Sequence, residues 1–573
     1  MGLIMHEELS REEKGKYLSI YSSLEEQFDI KKDLFKDVRK LIAIGTGAFN
    51  DDDEHSSNVD YSELLDSQHV SYIRTLCSGL YGGLVNPAGQ WFETLPSDPS
   101  LHGDYECLAY CYEIRKRFEF LFHTSNFYKE FKMTCDEYPV YGFAPLMIEE
   151  DPDRVVTFTH FTCGEAYLGC DTHGVYNKIA RPLKMYADQM VENFGYDNLP
   201  MLIKRAYDNG DFKTKFDLFN LICPNYYRDL DNHKNTNFKF VSLYWTIDDD
   251  NGKKFLKKSG YRDNPLAVFT WQKKHDAQIY PAGMGELLLG DVRELQATSY
   301  RSSQNEAYLN NPAMVMHSSL GRKPILPGST FYTDGDPSKM AAEIRRVNSY
   351  LQEIEDKKLR IKERIRELSM ADVMMLFASK DKNRMTAREV IAILNEQTNL
   401  LGGIYLNAKD SLTRIFERCF AIGLRKGFFP EPPEAMQQAG IKVEFLNQMA
   451  RAQKAAELGS LQDLFTYAVP LFQVKPDAID NLDGDKAFDM IVKSLAIDST
   501  IQKNPVLVQQ LREERAMQQQ QMAQAQQMEQ MAKAAKSASG AEIKPNNLLG
   551  ALAGEGNEGT LPMPEGSNIE GIS

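Results

Sequence analysis

A chain of 573 residues, 42% of them hydrophobic, has core material for roughly four domain-sized units. Its 66 basic against 81 acidic residues leave a formal charge of -15, which argues against tight nucleic-acid binding over the whole surface. Apolar runs fall short of the ~18 residues that a membrane-spanning helix needs, the stretch Met1 to Lys16 is charged rather than signal-like, and eight cysteines occur without a C-x-x-C pair. A soluble chain made in a reducing cytoplasm, with free thiols, is the expectation.

Ser10 with Glu13 offers a capping box, and Leu18 to Ile44 predicts one or two helices ending at Gly45. The acidic run Asp51-Asp52-Asp53-Glu54 follows as a loop. Leu64, Ile73, Leu76, Leu80 and Leu84 then mark a helix that stops at Gly82-Gly83 and Pro87. Beyond it, a helix rich in Phe and Tyr runs past Ser125-Asn126-Phe127 to Tyr141-Gly142. Val155 to Tyr176 alternates apolar and polar residues with turns at Gly164-Glu165 and Asp171 to Gly174, the pattern of antiparallel strands. Pro182 to Gly195 and Leu199 to Asp208 predict helices, Phe212 to Tyr280 predicts strands, and a helix is expected from about Gly285 to Leu309.

After Pro327-Gly328, Asp336 and Pro337 form a cap and first-turn pair, and Met340, Ile344, Val347, Leu351, Ile354, Lys358, Ile361, Ile365 and Leu368 step by four and three. That is a heptad seam with one lysine in it, on a helix of about 30 residues and ~45 Å, packed either within its own domain or against a neighbour. Ser379-Lys380-Asp381-Lys382-Asn383-Arg384 is a polar, mostly basic link to a second capping box, Thr386 with Glu389. The helix that follows carries Val390, Ile391, Leu394, Leu401, Tyr405, Leu412, Ile415, Phe416, Cys419 and Ile422 at helical spacing, with a kink expected at Gly402-Gly403. It closes at Gly423, Gly427, Pro430, Pro432 and Pro433. Beyond Pro505 the composition turns to Gln, Met and Ala, either a helix with little to pack on or a disordered segment, and Asn546 to Ser573 has the composition of a flexible tail.

His160-x2-Cys163 with Cys170-x2-His173 offers four soft ligands of the kind tetrahedral zinc takes, but side chains alternate faces along a hairpin and need not converge. Cys107 and Cys111 fit the core of a helix. No G-x-x-x-x-G-K-[ST] phosphate loop, H-E-x-x-H helix or Ser/His/Asp order occurs, so neither catalytic residues, cofactor nor metal is expected.

Several phrases of this sequence occur in a recognisable order. They are Leu76-Cys77-Ser78-Gly79-Leu80 to Asn86-Pro87 and Trp91-Phe92, Ser125-Asn126-Phe127, and Tyr141-Gly142-Phe143-Ala144-Pro145-Leu146, in which Pro145 departs from the usual small residue. Further along are Met385-Thr386-Ala387-Arg388-Glu389-Val390, Gly427-Phe428-Phe429-Pro430-Glu431-Pro432-Pro433, Ile441 to Leu446, Met449 to Lys454 and Asp480 to Asp485. Together, from about Leu76 to Arg515, they resemble the head-to-tail connector, or portal, family of short-tailed bacteriophages. The resemblance implies a mainly α fold with α+β insertions, an elongated subunit of wing, stem, clip and crown that forms a cyclic ring of twelve. Its boundaries in this chain would be wing 1–182, stem 183–211, clip 212–282, second stem helix 283–310, wing 311–430 with a channel loop at 379–385, crown 431–504, and a Gln-rich barrel or tail at 505–573.

The function implied is a channel at one capsid vertex through which DNA is packaged, retained and ejected. Lys380, Lys382 and Arg384, repeated around the ring, would meet phosphates of double-stranded DNA without reading bases. Implied partners are other copies of the chain, a terminase packaging motor, a tail adaptor, and the major capsid and scaffold proteins, with no membrane. The implied location is the head-tail junction of the virion, reached from the host cytoplasm. Two alternatives are weaker. An ATP-driven packaging enzyme lacks its phosphate loop here, and an internal scaffold or ejection protein suits the Gln-rich tail but not the aromatic-rich α/β middle.

Overall fold

The computed structural model describes residues 9–49, 64–247 apart from 230, 232–233 and 235–236, 252–310 apart from 276, 314–316, 336, 341–343, 351–378, 387–437, 440–446, 464, 466, 484, 488, 491 and 505–538. In chain order the elements are α1 (Arg11–Leu41), α2 (Gln68–Leu84), β1 (Phe92–Pro96), α3 (Tyr105–Thr124), α4 (Phe127–Tyr141), β2 (Phe143–Asp151), β3 (Val155–His160), β4 (Tyr167–Cys170) and β5 (Tyr176–Tyr186). Next come α5 (Ala187–Phe194), α6 (Met201–Asp208), β6 (Lys215–Pro224), β7 (Phe240–Ile247), β8 (Lys253–Tyr261), β9 (Leu266–Thr270) and α7 (Met284–Asn310). The remainder are β10 (Met314–Met316), β11 (Ala341–Glu343), α8 (Leu351–Leu368), α9 (Ala371–Ala378), α10 (Ala387–Arg425), β12 (Ile441–Phe445) and α11 (Pro505–Ala538). The last belongs to a separate compact unit, Asp498–Ser573. The fold is mainly α with small antiparallel sheets, and among the described residues no helix is long and apolar enough to cross a membrane.

The capping box at α1 is formed, with the Glu13 amide donating to Ser10 Oγ and the Ser10 amide to the Glu13 carboxylate, at 3.2 and 2.8 Å. One helix, not two, follows. Tyr17, Tyr21, Leu24, Phe28, Phe35 and Val38 recur three, four or seven apart and are all buried. They face β4, β5 and α7, where Phe28 and Phe35 meet Tyr280 at 5.6 and 6.3 Å. A second aromatic cluster gathers segments far apart in sequence: Phe122 lies 4.5 Å from Phe127, and Phe92 and Phe118 lie 4.8 and 4.9 Å from Phe416 of α10.

Two antiparallel sheets carry most of the strands, in the orders β3-β2-β9 and β4-β5-β6-β7-β8. Pro145 lies in β2, the central strand of the first, where a missing donor would normally break the ladder. Its opposite residue on the β3 side is Phe161, one residue beyond the end of β3, so the loss falls where that pairing has finished. Gly142 makes the turn from α4 into β2 with φ 92°, and a side chain there would also collide with the backbone of Pro281 and Gly283.

The expected helix from Pro182 to Gly195 is corrected. β5 continues to Tyr186, paired with β6, and the helix is only Ala187–Phe194. Proline is tolerated because β4 pairs with β5 only as far as Ala180, which leaves one edge of β5 open at Pro182. The expected heptad helix is also shorter. Ala341–Glu343 pairs with Met314–Met316 as a strand, and the described helix begins at Leu351. Its seam residues Ile361 and Ile365 are buried in this chain, and α8 packs on α7. The Thr386 cap falls outside the described residues, and α10 runs unbroken through Gly402-Gly403. The Gln- and Met-rich segment forms one helix over 505–538, with Met517, Met522, Met528 and Met531 exposed.

Candidate functional site

Lys380, Lys382 and Arg384 lie outside the described residues. Their two flanking supports are described, because α9 ends at Ala378 and α10 begins at Ala387. On the first side, Ala371 and Met374 are buried, and the Met374 side chain packs on Gly79 of α2, where a Cβ would leave it no room. Arg366 pairs with Asp372 at 2.5 Å across the turn from α8 to α9. α8 is tied down in turn. Lys362 meets Asp66 at 2.7 Å, and Arg364 reaches Asp291 and Glu294 of α7 at 2.5 and 3.0 Å. Partial burial pushes the Asp66 carboxyl up, but Lys362 and the Gln68 amide outweigh it and hold the group below its ordinary value.

On the second side, α10 lies across β9, the edge of the three-stranded sheet. Trp271 donates its amide to Gly142, and Ile148 donates to Pro265, an alternation that turns the Val268 carbonyl outward from β2. Ser411 Oγ donates to that carbonyl at 2.8 Å, and Asn407 Nδ2 donates to the Trp271 carbonyl at 3.1 Å. Arg418, only 5% exposed, donates Nε to the Ile148 carbonyl at 2.9 Å and Nη1 to the Asp263 carbonyl at 3.1 Å. Burial lowers the Arg418 pKa, with Asp263 opposing. Polar side chains of one helix thus satisfy backbone acceptors that a sheet edge would leave open.

The end of α10 is gripped by charge. Arg425 reaches Glu150 at 2.6 Å and Asp263 at 3.2 Å, and Lys426 donates to the Asp151 carbonyl. Two open cavities flank Arg418. One, of ≈ 580 Å³, has Asp263, Asp410, Arg414 and Glu417 in its wall; the other, of ≈ 440 Å³, has Glu149, Glu150, Arg262, Arg425 and Lys426. Sequence reasoning missed this cluster. Its signal was present, since Arg418 stands between Ile415 and Ile422 at the three-then-four spacing of the buried stripe.

The four soft ligands occupy different surroundings. His160 is buried, with Nδ1 3.2 Å from Thr134 Oγ1 and Nε2 3.6 Å from the Glu137 carboxylate, Cys163 is buried beside that carboxylate, Cys170 is half-buried, and His173 is exposed. Glu137 accepts from the Cys163 amide at 3.0 Å and from Thr162 Oγ1, so it acts as an internal brace between α4 and the β3–β4 turn. Among the described residues no group of three or more His, Cys, Asp or Glu is placed to hold a metal ion. Cys107 and Cys111 are buried on α3, with Cys107 Sγ 3.2 Å from the Asp104 carboxylate.

The sequence profile of the bacteriophage head to tail connecting protein family matches residues 14–502. The portal protein of Salmonella phage epsilon15 is 29% identical over 484 residues, covering 83% of this chain and 85% of that protein. The probable portal protein of Bordetella phage BPP-1 is 26% identical over 490 residues, covering 85% of this chain and 88% of that protein.

Proposed function

The chain belongs to the bacteriophage head to tail connecting protein family, and from that membership we propose that it is the portal subunit of a short-tailed phage. Twelve copies close into a ring at one capsid vertex, and DNA enters, is retained and leaves through the hole. The observation that carries this reading is the family match over 14–502, together with portal relatives aligned over more than four-fifths of the chain.

The work is structural and involves no covalent step. A cyclic ring needs heterologous faces, in which one patch of a subunit meets a different patch of its neighbour. In this reading 1–182 and 311–430 form the wing, 183–211 and 283–310 the stem, 212–282 the clip, 431–504 the crown, and 505–573 a barrel or tail. The clip meets a terminase motor during filling and a tail adaptor afterwards, while capsid and scaffold proteins surround the wing. Lys380, Lys382 and Arg384 form a basic belt that touches duplex phosphates weakly enough to permit sliding. Support for the belt comes from the residue types, three cations among the six residues Ser379 to Arg384, and from the preceding helix α9, which is seated on α2.

Native mass measurement with electron microscopy of the purified protein tests the ring. The 65.2 kDa chain predicts closed particles of roughly 780 kDa with a central hole. A chain that stays monomeric at every protein and salt concentration would remove the proposal's physical basis.

A further inference from the structure

We propose that the ≈ 440 Å³ cavity at the end of α10 receives an acidic segment of a second copy of this chain. Its wall holds four cationic side chains, Arg262, Arg418, Arg425 and Lys426, against two carboxylates, Glu149 and Glu150. Both carboxylates are already engaged. Tyr261 donates its hydroxyl to Glu149 at 2.6 Å, and Arg425 holds Glu150 at the same distance. Arg418 spends Nε and Nη1 on the carbonyls of Ile148 and Asp263, and Nη2 has no hydrogen-bond partner among the described residues.

Arg262 stands out. It is exposed on the turn after β8, its guanidinium lies 5.1 Å from the Phe238 ring, and among the described residues it has no hydrogen bond or ion pair. An arginine stacked on an aromatic ring is pre-oriented, so little side-chain freedom is lost when a planar carboxylate docks against its fork. The concave site admits side chains of a peptide, whereas a duplex could only graze its rim. A chain with a net charge of -15 carries more carboxylates than cations, so a basic recess in it is complementary in charge to another copy of itself. Such a contact joins unlike patches, as a ring requires, and in that respect the inference rests on the ring proposed above.

The test uses the full-length chain and two variants, Arg262→Glu and Arg262→Ala, with native mass measured over a range of protein concentrations and the melting of unassembled protein as the folding control. Arg262 is exposed and, among the described residues, makes no hydrogen bond or ion pair, so both variants are expected to melt with wild type. Arg262→Glu should need roughly tenfold more protein to reach half assembly, the equivalent of one charge-assisted contact, and Arg262→Ala less. A photo-cross-linker placed at position 262 should recover an Asp- or Glu-bearing peptide from another copy. Variants that assemble at the wild-type concentration, or a cross-link to DNA or to a different protein, would overturn the pocket assignment while leaving wild-type rings in place. Failure of the wild type itself to form rings would instead strike the ring proposal.

Discussion

Arg418 shows how a single side chain can join a helix to a sheet. It lies in the apolar stripe of α10, and its guanidinium crosses to carbonyls of β2 and of the β8–β9 turn. Arg418→Met keeps most of the volume but leaves the Ile148 and Asp263 acceptors without these donors. Urea unfolding of the unassembled chain is expected to show a loss of about 2–4 kcal/mol, from one to two buried acceptors left unpaired. A different residue-scale effect comes from the thiols. Burial pushes the pKa of Cys77 and Cys419 from the ordinary 9.0 to about 12. The unfolded chain therefore releases these protons first. Stability from the neutral thiols is complete below pH 9 and declines as pH rises from about 9 to 12, with buried tyrosines such as Tyr110, raised by burial to about 12, adding in the same direction. Denaturant titrations at pH 8 and pH 10.5 should differ accordingly, and at pH 10.5 the absorbance at 240 nm should rise on unfolding as the buried thiols ionise.

Elements obeyed their local signals where those signals had no competitor. The Ser10 box started α1, period-two alternation marked β3, and helical spacing carried α7, whose ends match the expected 285–309 within two residues. They departed from those signals where a neighbour decided. Residues 182–186 have a helix-compatible composition, yet β6 offers a full register of partners from Ile179 to Tyr186, and the strand extends. Ile441-Lys442-Val443-Glu444-Phe445 alternates as a strand does, but its partner is Phe92–Pro96, some hundreds of residues earlier. α10 supplies a prediction at this scale. Gly402 and Gly403 lie inside an unbroken helix, and a Cβ at either would meet nothing within 4 Å. Gly402→Ala and Gly403→Ala should each stabilise the unassembled chain by about 0.5–1 kcal/mol, read as a rise in melting temperature. If the melting temperature falls instead, the helix needs the curvature those glycines permit.

At the scale of the whole molecule, the proposed channel belt depends on repetition more than on any one residue. A single copy with a net charge of -15 should hold DNA poorly, while a ring multiplies three cations around one hole. Changing Lys380, Lys382 and Arg384 together to Ala should leave ring mass unaltered and flatten the fall of DNA affinity between about 50 and 200 mM salt, since fewer counterions are released. Fluorescence anisotropy of a labelled duplex across that range measures it, and an unchanged slope would place the DNA contact elsewhere.

Periodicity, caps and turn residues determined the main helices and the strand-rich middle, because those signals act over a few neighbouring residues, and membership in the connector family was legible only as a resemblance of ordered phrases such as Leu76 to Leu80 and Gly427 to Pro433. Tertiary structure alone decided the pairing of β1 with β12, the extension of β5, the seating of α9 against Gly79 and the joint around Arg418. In each case the partner groups lie far apart along the chain, and the deciding free energy is the burial or satisfaction of atoms that no local window contains.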